Sequence, residues 1–448
     1  KHASPALAWG VMIDGRMAMG GGAGTLDDGR APTAATAFRI ASMTKSFTAA
    51  TVLALRDEGV VPSLDTVVPG VTPPTSDSPP ITLRLLLSMS AGFAEDDPWA
   101  DRHLDIDDEA FDAVVAAGIT YAVAPATHFE YSNLGYGLVG RFVTRLAGEP
   151  IQVLTTRHLL EPLGLSRTTW TAPTDDDWAR PHRLDDGEAR PDAEPLDDGA
   201  LAPMGGLWSN VEDLVSWMSW LDDAFPARDN VDTGPLRRSS RRELQQVHRA
   251  TALARGAAGG EGLDLVPERI DGGGYGFGHQ VLHDDRFGSI VGHSGGLPGY
   301  GSNMRWLPGR RVGAVALANS TYAPMRTLTR RMLEILDDHG LVPAVAPPLT
   351  PAFQDAASRL VALLHDWDDD AAAELFSDNV ALDEPYDRRS RTAAALVDGH
   401  GPLAVTNLVQ TSATEGTISL VAANGRRATV ELMLSPHVPP LIQKYVVR

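Results

Sequence analysis

The sequence predicts an α/β protein in three parts. The first, residues 1–342, takes one sheet from its two ends (about 1–60 and 270–342) and inserts a helical subdomain (about 61–269) between them. A linker, 343–351, and a small α+β domain, 352–448, follow. Three observations carry this reading. Strand patterns cluster near the start of the chain and again after residue 275, around a middle that is mostly helical, so one sheet built from both ends is the simplest way to bury them. Four prolines fall within residues 342–351, a composition that favours an extended connector over a packed element. Beyond it, helical spacing gives way to strand patterns around an Asn-Gly pair.

Taken in order, residues 6–13 and 16–19 read as a hairpin about Asp14-Gly15. Residues 42–58 have helical spacing through Met43, Phe47, Ala50, Val52, Leu53 and Leu55, with Gly59 where a helix C-terminus favours glycine. Helices follow at 83–88, 108–117, 134–146 and 211–221. The stretch 171–199, rich in Asp, Arg and Pro, reads as a polar loop. Strand patterns return at 275–291, 301–307 and 312–318, before a helix at 324–336. In the tail, Phe353, Leu360, Leu363 and Leu364 mark a helix over 352–367, and a short one follows at 371–376. Strands 417–423 and 426–434 flank Asn424-Gly425, the pair favoured by a type I′ turn because both central residues need φ > 0.

Composition excludes several functions. With 58 acidic and 38 basic side chains the formal charge is −20, and such a surface repels phosphate backbones and anionic headgroups. Neither nucleic acid nor a membrane is expected as a partner. The densest basic run, RRSSRR at 237–242, reads as a solvated loop. The best apolar stretch, 113–126, contains a proline and falls short of the roughly 20 residues that span a bilayer, so the chain reads as soluble. There is no cysteine, which removes disulfides, zinc thiolates and cysteine nucleophiles. The chain opens at Lys1 with no charged-then-apolar leader, which reads as a signal peptide removed or never present. Compartment and oligomeric state are left open.

Only three lysines occur, Lys1, Lys45 and Lys444, and the other 35 basic residues are arginine. Lys45 alone lies away from the ends, and it stands three residues after Ser42. At that spacing on a helix the hydroxyl and the amine share a face, close enough for a neutral amine to take the hydroxyl proton. If Ser42 opens the helix, its backbone N–H is unpaired and can face a developing oxyanion. Arginine, with a pKa above about 12, cannot act as such a base, whereas a desolvated lysine can.

Two rival sites compete. Gly292-His293-Ser294-Gly295-Gly296 satisfies the G-x-S-x-G pattern, but Pro298 and the glycines behind it stand where the helix after a nucleophile elbow would begin. A strand edge with exposed N–H groups accounts for the segment better. Thirteen histidines invite a metal, yet none forms H-E-x-x-H, and His279 with His283 lies in a strand-like segment where i and i+4 side chains stand far apart. No metal or other cofactor is expected.

Three motifs in order carry a resemblance. Residues 38–48, FRIASMTKSFT, resemble the first motif of the serine β-lactamase and penicillin-binding-protein superfamily, in its class C β-lactamase-like branch. Residues 129–136, FEYSNLGY, resemble that branch's Tyr-x-Asn motif, and 292–302, GHSGGLPGYGS, its strand motif, usually Lys-Thr-Gly or His-x-Gly. Stretches 81–93, 161–168 and 204–214 also match, and the likeness stops at the proline linker. It implies a β-lactamase-like fold, an antiparallel sheet flanked by helices. It also implies an acyl-serine mechanism: Ser42 attacks a carbonyl, Lys45 and Tyr131 share the proton work, and Asn133 holds Lys45 or a substrate amide. The oxyanion would lie between the N–H groups of Ser42 and Gly296, beside His293, Ser294 and Gly295.

One departure bears on the substrate. His293 stands where efficient β-lactamases carry lysine, and a histidine near pKa 6.5 is mostly neutral at pH 7. A D-amino-acid peptidase, carboxypeptidase or esterase acting on a small peptide-like or acyl substrate is therefore expected over a β-lactamase. An acyltransferase of the same fold, passing the acyl group to an amine, is the alternative within the superfamily, with 171–199 or the tail as the wall that excludes water. A non-catalytic binding or sensor protein is the alternative of another class, and the retained lysine argues against it.

Overall fold

The computed structural model describes residues 4–251, 272–344, 349–398 and 401–448; linker positions 345–348 and part of the expected helical subdomain lie outside them. The chain divides into two compact units, Lys1–Pro343 and Ala344–Arg448.

The first unit is built on an eight-stranded sheet. In spatial order its strands are Arg16–Gly24, Ala6–Ile13, Val312–Ala318, Tyr300–Leu307, Gly288–Leu297, Gln280–Asp284, Gly272–Tyr275 and Arg249–Ala250. Every neighbouring pair is antiparallel. The N-terminal hairpin turns at Asp14-Gly15 with φ of 51° and 70°, the two positive values a type I′ turn requires. Val312–Ala318 is buried along its whole length, and its side chains alternate between two layers as the pleat dictates. Ala314 packs with Leu333 and Leu336 of helix Met325–Asp338, whereas Val315 and Leu317 join the main core with Trp217 of helix Val211–Asp222.

Helix Thr44–Asp57 lies inside this core, buried from Thr44 through Leu55. Phe47 stacks on Trp217, ring centroids 4.0 Å apart, and the Trp217 indole N–H donates to Ser46 Oγ at 3.2 Å. The helix ends as its sequence demands, at Gly59 with φ 82°. Helices Leu83–Leu87, Asp108–Ala116 and Asn133–Ala147 form the inserted layer.

Two expectations change. The run at 237–242 is no solvated loop: it opens helix Arg238–Leu244, and Arg241 is buried with its guanidinium beside Asp232 at 3.3 Å. The stretch 171–199 contains a hairpin, His182–Asp185 with Glu188–Pro191. Charge density concealed the first, because arginine can be buried when its fork is paired, and a polar composition concealed the second, whose strand Glu188–Pro191 is exposed throughout.

The second unit packs helices Pro351–His365, Asp369–Leu375, Asp378–Asp383 and Tyr386–Val397 with a four-stranded antiparallel sheet. Thr350 caps the first helix by accepting from the Phe353 N–H. Asn424-Gly425 does not form the type I′ turn. Only Gly425 has positive φ, 83°, and strands Glu415–Ala422 and Arg427–Leu434 join through a longer loop. Among the described residues no helix is long and apolar enough to cross a membrane.

Because Phe47 and Trp217 tie the buried helix to its neighbour, Trp217→Ala is expected to cost about 3–5 kcal/mol in urea unfolding. A midpoint and slope matching the parent would show that this stack does not hold the helix in place.

Candidate functional site

Ser42 lies half-buried in a single 3₁₀ turn, Ala41–Met43, that leads into helix Thr44–Asp57. The turn is strained at Ala41, whose φ of 50° is left-handed for an L-residue. Strand Gly288–Leu297 approaches it closely. A Cβ on Gly295 would stand 2.2 Å from Ile40 O and 2.3 Å from Ser302 Oγ, while Ser302 Oγ itself donates to Ile40 O at 2.8 Å. On the other side of the helix start, Gly278 has φ 69°, and a Cβ there would lie 2.3 Å from Lys45 O. Only glycine permits either approach.

Lys45 is fully buried. Its Nζ donates to Ser42 Oγ at 3.0 Å, to Asn133 Oδ1 at 2.7 Å and to Met204 O at 2.7 Å. Met204 O can only accept. The Asn133 amide is oriented as well, because its Nδ2–H donates to the Asp97 carboxylate, which leaves Oδ1 to Lys45. When the amine is neutral, its two hydrogens have these two destinations and its lone pair faces Ser42. Desolvation lowers the Lys45 pKa from 10.5 to about 8, against the opposing charges of Asp97, Asp101 and Asp96. A neutral fraction is therefore present near neutral pH.

Tyr131 sits in the loop before helix Asn133–Ala147. Met89, itself at φ 54°, holds that loop by accepting from Glu130 N at 2.9 Å through its carbonyl and from Ser132 N through its sulfur. Lys45 Nζ lies 4.8 Å from the centre of the Tyr131 ring, and Ser42 is the side chain that acts on its hydroxyl. Burial pushes the phenol well above its usual pKa of 10. It stays protonated and is suited to relaying a proton, while Lys45 is the group that can lose one. Asn133 opens its helix: Ser132 Oγ accepts from Gly135 N at 3.0 Å, and Asp96 accepts from the N–H groups of Asn133 and Leu134 at 2.7 Å each. A carboxylate there satisfies donors that the helix leaves unpaired.

His293 differs from expectation. It is buried on the strand, its Nδ1 hydrogen-bonded to Ser294 O and its Nε2 2.9 Å from the Tyr275 hydroxyl. A carbonyl only accepts, so Nδ1 carries the proton and Tyr275 donates to Nε2. Burial, and next the charge of Lys45, lower its pKa from 6.5 to about 3. It is therefore neutral near pH 7 and does not switch between pH 6 and 7. Ser294 Oγ accepts from Asn303 Nδ2 at 2.9 Å. Gly296 faces Tyr322, where a Cβ would come within 2.6 Å of the ring. The Tyr322 hydroxyl donates to Asp101 at 2.7 Å, and burial raises the Asp101 carboxyl to about 6.

The structure thus brings Ser42, Lys45 and Asn133 into one hydrogen-bonded set, with the Tyr131 ring beside Lys45 and Gly295 packed on the serine turn. Sequence reading missed Asp96, Asp97, Asp101, Met204, Tyr275 and Tyr322. Three of these form the acidic pair-and-neighbour around FAEDDPWAD at 93–101, but nothing in its spacing ties it to residue 133. The G-x-S-x-G pattern has no elbow: the strand continues through Ser294 to Leu297 and turns back into Tyr300–Leu307. Among the described residues no three metal-ligating side chains converge.

Comparisons with known proteins bear on the family and the fold. The Beta-lactamase family model matches residues 1–337. D-alanyl-D-alanine-carboxypeptidase/endopeptidase AmpH of Escherichia coli K12 is 26% identical over 313 residues, 67% of this chain and 74% of that protein. Penicillin-binding protein 4 of Amycolatopsis lactamdurans is 28% identical over 378 residues, 80% and 92% of the two chains. Among solved structures, the octameric penicillin-binding protein homologue from Pyrococcus abyssi superposes with a TM-score of 0.64 at 20% identity, covering 99% of this chain and 96% of that one. The β-lactamase/D-alanine carboxypeptidase from Yersinia pestis gives 0.58 at 21%, covering 75% and 93%. The expected fold, an antiparallel sheet flanked by helices, is the fold of these structures.

Gly295→Ala places a methyl group where Ile40 and Ser302 already stand. It is expected to destabilise the protein by about 1–3 kcal/mol in chemical denaturation, as overpacking does. An unchanged midpoint would mean that the strand can move off the serine turn without cost.

Proposed function

Since the chain belongs to the Beta-lactamase family, we propose that it is a serine hydrolase that cleaves an amide or ester of a small peptide-like or acyl substrate through an acyl-Ser42 intermediate. The observation that carries this reading is the orientation of Lys45. Two fixed acceptors, Asn133 Oδ1 and Met204 O, take its hydrogens, and the remaining position lies 3.0 Å from Ser42 Oγ.

In the proposed sequence, neutral Lys45 accepts the Ser42 proton as Oγ attacks the carbonyl carbon. The tetrahedral oxyanion is met by the backbone N–H groups of Ser42 and Gly296. The proton passes from Lys45, through the protonated Tyr131 hydroxyl, to the departing amine or alcohol as the carbonyl–heteroatom bond breaks. Water then attacks the acyl-serine carbonyl, Lys45 accepts a proton from it and returns that proton to Ser42 Oγ as the acyl–oxygen bond breaks, and the acid is released. Asn133 holds Lys45 throughout, and Ser294 and His293 line the strand side. Neutral His293 supplies no cation for a substrate carboxylate, which supports a peptidase or esterase over a β-lactamase.

Lys45→Arg is expected to lower acylation by about 10²–10⁴-fold while the protein stays folded, because an arginine keeps the charge but cannot give up its proton. Labelling of Ser42 by a fluorophosphonate, followed by mass spectrometry, reads this directly. A parent protein that is never labelled would sink the hydrolase reading.

The labelling rate should also depend on pH in a defined direction. Neutral Lys45 is the reactive form and its pKa is lowered to about 8, so the rate rises towards pH 8 and levels off above it. A profile that is flat from pH 6 to 9 would show that Lys45 is not the base.

A further inference from the structure

Resting on the hydrolase reading, we infer that Tyr322 is a specificity-determining residue: anchored to Asp101, its ring forms a bar across the acyl end of the cleft and limits the length of acyl group that Ser42 accepts. Strand Gly288–Leu297 locates the cleft. Its pairing with Gln280–Asp284 ends at Gly292, whereas its pairing with Tyr300–Leu307 runs on to Leu297. From His293 onward one edge therefore has no strand beside it among the described residues. Ser42 and Tyr131 adjoin this stretch, since Gly295 packs on the serine turn and the Tyr131 ring centre stands 6.3 Å from that of His293. A substrate carbonyl set between Ser42 and Gly296 has two directions along that edge. Tyr131, which hands the proton to the leaving group, stands at the His293 end, so the leaving group lies there and the acyl chain runs past Gly296.

Tyr322 stands at that acyl end. Neighbouring residues of a strand turn to opposite faces: Gly295 turns to Ile40 and Ala41, and Gly296 turns to Tyr322, where a Cβ would come within 2.6 Å of Cδ1 and 3.2 Å of Cε1 of the ring. From that face the Tyr322 hydroxyl donates to Asp101, in the inserted part of the chain, at 2.7 Å. The bond joins the sheet to the inserted part beside Gly296, and a long acyl chain meets the ring. Asp101 is a buried, fixed anchor at 5% exposure, whereas Tyr322 is 52% exposed, so its ring packs on Gly296 and leaves the rest of its surface open. Its backbone is held at φ 53°, a left-handed conformation that is costly for a bulky residue and persists only where the surroundings impose it. Here the Tyr322 N–H donates to Tyr300 O at 3.1 Å, and the preceding Thr321 hydroxyl donates to Asp192 at 2.9 Å. A ring so placed is an apolar wall with a tethered polar tip.

The test measures kcat/KM for p-nitrophenyl acetate and p-nitrophenyl octanoate, each divided by that ester's rate of alkaline hydrolysis, on the full chain, on Tyr322→Ala and on Tyr322→Phe. In the parent the octanoate should be used about tenfold or more less well than the acetate, and Tyr322→Ala should raise the octanoate-to-acetate ratio by about tenfold or more, since even one methylene in a pocket is worth about 10–200-fold. Tyr322→Phe keeps the ring and loses only its anchor. It should shift the ratio in the same direction by about threefold or more, as loss of a hydrogen bond does, and it carries the test if the alanine variant does not fold. The rates at which methyl and octyl fluorophosphonates label Ser42 give the same contrast without turnover. A parent that uses both esters equally, or a ratio that either folded variant leaves unchanged, would overturn the inference. So would a variant in which both esters slow by one common factor, since Tyr322 would then only position Gly296. Labelling of Ser42 keeps the two readings apart: a labelled enzyme whose chain-length ratio ignores Tyr322 refutes this inference alone, and an unlabelled one refutes the hydrolase.

Discussion

A lysine ammonium buried without contact to water governs the layout of the first unit. Taking such an ion out of water costs several kcal/mol even after relaxation, and the fold offsets that cost with three acceptors drawn from three distant parts of the chain: Ser42, Asn133 and the Met204 carbonyl. The compensation is partial, and the shortfall is the depressed pKa. Stability and reactivity are thus two sides of one electrostatic balance. Full solvation of Lys45 would stabilise its charged form and deplete the neutral amine that the proposed mechanism uses, whereas full removal of the surrounding acids would make the buried charge harder to hold.

That balance requires close approach of backbone segments, which the glycines permit. Gly295 lets the strand touch the Ile40–Ala41 turn, Gly278 lets a loop touch the helix at Lys45, and Gly296 lies under the Tyr322 ring. The left-handed Ala41 costs of order 1–3 kcal/mol and is held from both sides by the Ser302 hydrogen bond to Ile40 and by helix packing behind it. Rigidity at the serine is therefore a property of its surroundings.

Charge is divided along similar lines. Arginine appears where a planar fork can engage two acceptors, as with Arg84 on Asp65, or can bridge two acids, as with Arg141 on Asp108 and Asp112 and Arg286 on Asp337 and Asp338. The one internal lysine, Lys45, stands where the proposed chemistry asks a compact amine to lose a proton. The excess of acid, −20 over the whole chain, is carried inward to the site by Asp96, Asp97 and Asp101.

Much of this was legible before the structure. Short-range information sufficed for helix Thr44–Asp57 and its glycine stop, for the first hairpin and for the Ser42–Lys45 spacing, because each depends on periodicity or on residues within one or two turns of each other; the Tyr131 and Asn133 pair came from the likeness of residues 129–136 to a family motif. The reading that used local charge as a proxy for exposure failed at Arg241, since burial depends on partners that sequence spacing does not reveal, and within 171–199 a polar composition hid a largely exposed hairpin. The Asn424-Gly425 turn failed because loop length, set by strand register, overrode the dipeptide's preference. By itself the sequence determined which groups could do chemistry: one internal lysine able to give up a proton, a serine three residues before it, and glycines wherever two backbones must meet. Only the tertiary structure decided their state. The neutrality of His293, the lowered pKa of Lys45 and the placement of Asp97 on Asn133 all arise from desolvation and from hydrogen bonds between residues far apart in the chain, and those exist only once the chain has folded.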